Sequence, residues 1–166
     1  KKMGLPEISL KIDNAIQTRV GQSNPDAEGQ FDLVWSEVLL SVAKAREGTT
    51  SEQEVLENLS KTMGHELFHA TKFLDLFSIQ EINNLNNFVR NNELNEESAK
   101  TLLGEDNLKI LTDTLGKAPT YLEAIEFRYN TLGNQNLNNE ELLEEANALL
   151  FEDHIDKKLA IKSKTL

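Results

Sequence analysis

Two of the three histidines in this chain lie four residues apart, at His65 and His69, with Glu66 between them in the pentapeptide HELFH. Residues four apart lie one above the other on a helix, so two imidazole nitrogens can reach one cation without bending the backbone. Glu66 is about 100° further round the helix than His65, so it would lie beside such a cation rather than on it. There it could accept a proton from a metal-bound water. The spacing therefore predicts a metal site with a general base next to it.

A catalytic zinc site needs a third protein ligand and one position left open for water. The candidates are the remaining histidine, His154, and an acidic residue of the segment NNEELLEEANALLFEDH. Glu145 has apolar helical neighbours three and four residues away, and a carboxylate on such a face is costly to bury without a positive partner. His154 lies nine residues later, on the opposite side of the same helix. The alternative for Glu145 is a salt bridge to a lysine or arginine, Lys72 included.

An amphipathic helix is predicted to carry HELFH. Ser51 followed by Glu54 is a capping-box pattern, which places the start of this helix near residue 52. Apolar residues then recur at spacings of three and four, and we expect this stripe to pack on the core. His65 and His69 lie on another face of the helix. The stripe consists of Leu56, Leu59, Met63, Leu67, Ala70, Leu74 and Phe77.

Strands are predicted before this helix and further helices after it. EISLKID (7–13) alternates with the period of a strand, and FDLVWSEVLLSVA (31–43) is predicted as one or two strands, with a helix as the competing prediction. Ser78 and Asn138 each precede a glutamate by three residues, which predicts that a helix starts at each of them. The helix that starts at Asn138 is predicted over roughly 139–158. The predicted fold class is α+β: a small N-terminal β-sheet packed on the HELFH helix, with a mostly helical C-terminal part.

Composition excludes several classes of partner and site. The formal net charge of −11 argues against nucleic acid and against an anionic membrane surface, because both need clustered lysine and arginine. The absence of cysteine excludes disulfides and thiolate metal ligands. The chain shows no signal peptide or membrane span, and its compartment is left open. With Met3 internal, we expect it to be one domain of a longer polypeptide.

HELFH followed downstream by EANALLF, Glu-x-x-Ala-x-x-Phe, resembles the gluzincin group of zinc metallopeptidases. Similar small zincin domains occur in peptidases that cleave phage repressors, in bacterial toxins, and in multi-domain proteins of phages and mobile elements. The resemblance implies a bound Zn²⁺ and the hydrolysis of peptide bonds in a protein or peptide substrate. By position it makes His65, His69 and Glu145 the zinc ligands. It makes Glu66 the general base that activates a zinc-bound water.

The resemblance covers roughly residues 31–77 and 139–155. Within it, SEVLLSV (36–42) is similar to the edge strand that pairs with an extended peptide substrate in such enzymes. The Asn- and Glu-rich helical segment at about 78–138 is longer than the corresponding segment in compact members of the gluzincin group. We interpret it as an insertion between the two zinc-ligand helices. The whole chain, 1–166, is thus predicted to be a single zincin-like metallopeptidase domain.

Two supporting roles remain open from the sequence. The donor that stabilises the oxyanion is usually a tyrosine or histidine in this family, and Tyr121 and Tyr129 are the only tyrosines. Packing in the core is the alternative for both. Ligand imidazoles also usually donate their second nitrogen to a carboxylate or carbonyl. Asp75, Glu126 and Glu141 are candidates for that partner.

Two further hypotheses compete with the peptidase. In the first, the chain is a catalytically degenerate zincin-like domain that acts as a binding or assembly module of a larger protein. Glu66 argues against this module, which would need no base, whereas Lys72 and the Asn-rich insertion argue for it. In the second, the chain is a helical interaction domain without a metal, and HELFH is a chance match. A chelator would then leave its melting temperature unchanged, whereas a bound metal stabilises by mass action.

Overall fold

The computed structural model describes residues 8–17, 23–24, 27–32 and 37–163 of the chain. The protein has a mixed α+β fold, which confirms the predicted fold class at this level. Contacts between residues divide the chain into two compact units. Unit 1 comprises Lys1–Leu76 and Phe151–Leu166, and unit 2 comprises Phe77–Leu150. None of the described helices is long and apolar enough to cross a membrane.

The strands belong to unit 1, and β5 lies at the centre of its sheet. In the three-stranded sheet, of order β1-β5-β4, β5 is parallel to β1 and antiparallel to β4. A second, two-stranded antiparallel sheet consists of β2 and β3. Segment 31–43 therefore contributes to two strands, one of the predicted alternatives, and its residues 33–36 lie outside the described part. The described strands are β1 (Ser9–Asp13), β2 (Ile16–Gln17), β3 (Ser23–Asn24), β4 (Gly29–Asp32) and β5 (Glu37–Ser41).

The position of β5 corrects the expectation that 36–42 is an edge strand. Its described residues are hydrogen-bonded to a neighbour on either side, with Glu37 opposite both Ser9 and Asp32. Every residue of β5 is buried. Consecutive apolar residues such as those at 38–40 are typical of a strand covered on both faces. The edges of this sheet, among the described strands, belong to β1 and β4.

The helix that carries HELFH packs on this sheet. Unit 1 has α1 (Val42–Ala45) and α2 (Glu52–Phe73), and α2 begins with the predicted capping box of Ser51 and Glu54. Apolar side chains of the predicted stripe form a small core with the sheet. They are Leu59, Met63, Leu67 and Ala70, packed with Ile8, Phe31, Val38 and Leu40.

The stripe prediction is wrong for Leu56, which is 58% exposed, whereas Val55 is only 5% exposed. The buried side of the first turns is therefore rotated by one residue relative to the predicted stripe. There α2 lies against α1, and the Asn58 side-chain amide donates a hydrogen bond of 3.0 Å to the Ala45 carbonyl.

Unit 2 is helical and has its own hydrophobic core. The structure confirms the two helix starts predicted at Ser78 and Asn138. Ser78 forms a capping box with Glu81. The Asn138 side chain accepts hydrogen bonds from the backbone N–H groups of Glu140 and Glu141. The elements are α3 (Ile79–Asn91), α4 (Glu96–Leu103), α5 (Glu105–Leu115), α6 (Tyr121–Glu126), a π-helix (Phe127–Leu132) and the first half of α7 (Asn139–Ser163).

The last helix, α7, continues five residues beyond its predicted end at 158 and belongs to both units. Its residues up to Leu150 are part of unit 2, and those from Phe151 onward are part of unit 1. The compact unit Phe77–Leu150 is longer than the insertion expected at about 78–138. That the chain is a single domain with an insertion stays a prediction.

Candidate metal centre

The two histidines of HELFH lie on one face of α2. The centroids of the His65 and His69 rings are 5.1 Å apart, and the ring planes are inclined by 60°. Both side chains are half-buried, and α2 is an uninterrupted α-helix through this stretch. The pair is thus a direct product of the four-residue spacing and the regular helix, because no loop has to bring the rings together.

Glu66, the predicted base, is buried, with 9% of its surface exposed. It lies against the edge strand β4. A β-carbon added to Gly29 of β4 would come within 2.8 Å of Cγ of Glu66 and within 2.5 Å of Cγ2 of Thr62. Only a residue without a side chain fits there, so the backbone of β4 directly contacts the part of α2 that carries Glu66.

His65 has a carboxylate next to it that the sequence did not predict. Its Nδ1 lies 3.6 Å from a carboxylate oxygen of Glu152 on α7, and both side chains are half-buried. A carboxylate at Nδ1 orients the imidazole and leaves Nε2 for a metal ion. Asp75, Glu126 and Glu141, the candidates from the sequence, are all exposed. The available signal was spacing: Glu152 lies seven residues after Glu145, on the same face of one helix.

The aromatic residue of EANALLF also contacts α2. The ring of Phe151 packs against Phe68, with centroids 5.0 Å apart, and Phe68 is almost fully buried. The Phe68 ring is in turn 6.1 Å from the His69 ring. This aromatic contact, together with the His65–Glu152 pair, fixes α7 against the histidine helix within unit 1.

Glu145, the predicted third ligand, lies half-buried on α7. The hydroxyl of Tyr129 donates a hydrogen bond of 3.2 Å to its Oε2. The other tyrosine, Tyr121, is buried in the core of unit 2, with its ring 6.3 Å from that of Phe88. The two tyrosines that the sequence could not rank therefore have different surroundings, and Tyr129 is the one that contacts a predicted site residue.

The three predicted ligands form one candidate group among the described residues. His65, His69 and Glu145 could together hold a metal ion. The two histidines belong to unit 1, and Glu145 lies on the part of α7 that belongs to unit 2. Among the residues that the structure describes, no other set of three or more histidine, aspartate or glutamate side chains is arranged in this way. His154, the alternative ligand from the sequence, is exposed. Two imidazole nitrogens and one carboxylate oxygen are a donor set that fits a zinc ion.

Comparison with known proteins gave no match: no family model matches the chain, and no curated protein and no solved structure is significantly similar to it. The functional assignment therefore depends on the residues themselves and on their geometry.

Proposed function

We propose that this chain is a zincin-like, zinc-dependent metallopeptidase domain of the gluzincin type, which hydrolyses peptide bonds of a protein substrate. The observation that carries the proposal is the pair of His65 and His69 on one face of α2, with which Glu145 forms a group that could hold a metal ion. Three protein ligands leave one position of a tetrahedral ion open, which is the composition of a catalytic rather than a structural zinc site. Glu66, buried one residue after the first ligand, supplies the base that such a site needs.

Zinc, when bound, supplies a Lewis acid that polarises the scissile carbonyl and lowers the pKa of a coordinated water toward about 7. Glu66 accepts one proton from the attacking water while the water oxygen adds to the carbonyl carbon. It then transfers that proton to the amide nitrogen as the C–N bond breaks, so the products are a carboxylic acid and an amine. Glu152 keeps the His65 imidazole oriented throughout, because its carboxylate lies beside Nδ1.

Glu66 also bears on the identity of the metal. Two histidines and a carboxylate can hold Fe(II) in oxygenases as well as Zn²⁺. Hydrolysis requires a proton acceptor close to the attacking water, and Glu66, a buried carboxylate next to His65 in the sequence, meets that requirement. The base therefore favours zinc and hydrolysis.

An extended substrate would be recognised through its backbone at a sheet edge. Because β5 is central, we assign this role to β4, the edge strand whose Gly29 contacts Glu66. A peptide added along β4 (Gly29–Asp32) would run past the base, and its scissile bond could approach the metal site from that side.

The test is the hydrolysis of an unfolded protein and of a peptide library by the zinc-loaded chain, beside Glu66→Gln. We expect Glu66→Gln to lose about 10²–10⁴-fold in kcat while its zinc content and melting temperature stay unchanged. Glu57→Gln, on the same helix, is the matched control and should keep full activity. A wild type that binds zinc but cleaves nothing would contradict the proposal and favour the degenerate binding module.

A further inference from the structure

The predicted ligand Glu145 receives a hydrogen bond from a tyrosine that the peptidase mechanism does not use. The Tyr129 hydroxyl donates to Oε2 of Glu145 at 3.2 Å, and both side chains are half-buried. A phenol can donate one proton only, so it selects one carboxylate oxygen and restricts rotation of the carboxylate. Such a donor fixes the orientation in which the carboxylate meets a metal ion.

Tyr129 lies in a π-helical turn, Phe127–Leu132, that directly follows α6. The turn closes with a hydrogen bond from the Gly133 N–H to the Arg128 carbonyl, five residues earlier, at 2.9 Å. A π-turn contains one residue more than an α-turn, and such turns are frequent at functional sites. The additional residue changes the direction in which side chains of this segment project, compared with a continued α-helix.

Gly133 permits the close packing at the end of this turn. A β-carbon on Gly133 would come within 2.9 Å of the Tyr129 carbonyl oxygen and 3.2 Å of the Arg128 carbonyl oxygen. Both are backbone atoms, which cannot move aside as the end of a flexible side chain can. Since φ of Gly133 is −85°, the glycine is required for space and not for a left-handed conformation.

Both neighbours of Tyr129 in the sequence are held by hydrogen bonds to distant backbone. Arg128 Nη1 donates to the Leu102 carbonyl at 2.7 Å. The Asn130 side chain donates to the Leu137 carbonyl at 3.0 Å and accepts from the Leu137 N–H at 2.7 Å. Leu137 lies two residues before the start of α7, so this pair also fixes the segment that enters the helix of Glu145.

From these contacts we infer that Tyr129 is a positioning residue of the metal centre, which holds the Glu145 carboxylate through Oε2 in one orientation for a metal ion. The inference rests on the proposed role of Glu145 as a zinc ligand. The π-turn and the hydrogen bonds of its neighbours place the phenol. The phenol in turn places the carboxylate before the metal arrives, which lowers the entropic cost of binding.

The test is the zinc dissociation constant of the full chain, measured by competition with a chromophoric chelator. We expect Tyr129→Phe to bind zinc about 10–100-fold more weakly than the wild type, the usual effect of removing a partner of a metal ligand. Tyr121→Phe removes the hydroxyl of the other tyrosine in unit 2 and should leave the constant unchanged. Melting temperatures of the metal-free proteins check that each variant is folded.

A double-mutant cycle separates positioning from a general structural role. In a Glu145→Ala background, where only the two histidines bind, Tyr129→Phe should cause no further loss of affinity. A structural role would lower affinity in both backgrounds and would overturn the inference. The d–d absorption of the Co²⁺-substituted protein should also change with Tyr129→Phe but not with Tyr121→Phe, because the carboxylate would coordinate differently.

The outcomes distinguish this inference from the proposed function. If wild type and Tyr129→Phe bind zinc equally well, the positioning role is wrong while the zinc site stands. If the wild type binds no zinc, both the site and the role of Tyr129 are wrong.

Discussion

Gly29 of the edge strand β4 lies so close to Glu66 of α2 that a β-carbon at Gly29 would come within 2.8 Å of the Glu66 Cγ. The same β-carbon would lie 2.5 Å from Cγ2 of Thr62, one turn earlier on α2. The edge of the sheet and the proposed base are therefore in direct backbone-to-side-chain contact. The position of Glu66 depends on how closely β4 approaches the helix.

Gly29→Ala should displace Glu66, because Thr62 is β-branched and cannot easily rotate away. We expect a loss of about 1–3 kcal/mol in the free energy of unfolding, the usual cost of overpacking. Hydrolysis should fall more than zinc affinity, since the metal ligands are not the groups that the new methyl meets. Thr62→Ser in the same chain removes Cγ2 and should restore part of both. A Gly29→Ala variant with the stability and kcat of the wild type would show that the contact is unimportant.

Glu152→Gln should weaken zinc binding. The substitution keeps the shape of the side chain beside His65 Nδ1 but removes the charge that orients and polarises the imidazole. We expect a loss of about 10-fold or more in affinity, measured by chelator competition. Glu140→Gln, an exposed carboxylate in the first turn of the same helix, is the control and should have no effect. Equal affinities for the two variants would remove Glu152 from the site.

Gly133→Ala should disrupt the π-turn. The added methyl meets the Tyr129 and Arg128 carbonyl oxygens, so the turn has to open and the Tyr129 side chain moves with it. We expect zinc affinity to fall in the same direction as in Tyr129→Phe, with the helical circular-dichroism signal nearly unchanged. Combining Gly133→Ala with Tyr129→Phe should add little, because both act through one hydrogen bond. Fully additive losses would show that Gly133 acts by another route.

The start of α6, which leads into the π-turn, should lose stability in acid. Burial raises the pKa of Glu123, but hydrogen bonds from the Thr120 backbone and from Lys117 outweigh it and keep this pKa below its ordinary value of 4.5. A lowered pKa means that the ionised form is stabilised in the folded state. The contribution is therefore fully present above pH 4.5 and is lost as pH falls through the lower, folded-state pKa.

Unfolding in urea measures this contribution in the wild type and in Glu123→Gln. At pH 7 we expect the variant to be about 1 kcal/mol less stable, since it weakens a capping box. At pH 3 or below the difference should shrink, because the wild-type carboxyl is then being protonated as well. Glu126→Gln, exposed in the last turn of α6, is the control. A difference that stays constant with pH would contradict the role of the ionised carboxylate.

Local patterns in the sequence correctly predicted the starts of α2, α3 and α7 and the histidine pair. The capping box of Ser51 and the spacing of HELFH determine where α2 begins and which face carries His65 and His69. Both depend only on residues within a turn or two of each other. The start of α7 at Asn138 was predicted for the same reason.

Contacts between residues far apart in the chain could not be predicted from the sequence. The central position of β5 depends on parallel pairing with β1, about 28 residues earlier, and no local period reveals a neighbour at that separation. Tyr129 could not be ranked above Tyr121, because helical spacing assumes α-turns and its segment is a π-turn. Glu152 lies seven residues after Glu145 on the same face of α7, but that spacing does not show that this face meets His65 on another helix.

The most direct measurement is the metal content of the purified wild-type chain beside Glu145→Ala, by elemental mass spectrometry without added zinc. We expect about one zinc per wild-type chain and a sharp loss in the variant, as for a site with three protein ligands. Iron in place of zinc would contradict the hydrolase. A wild type without metal, even after incubation with zinc, would contradict the metal centre itself, and HELFH would then be a chance match.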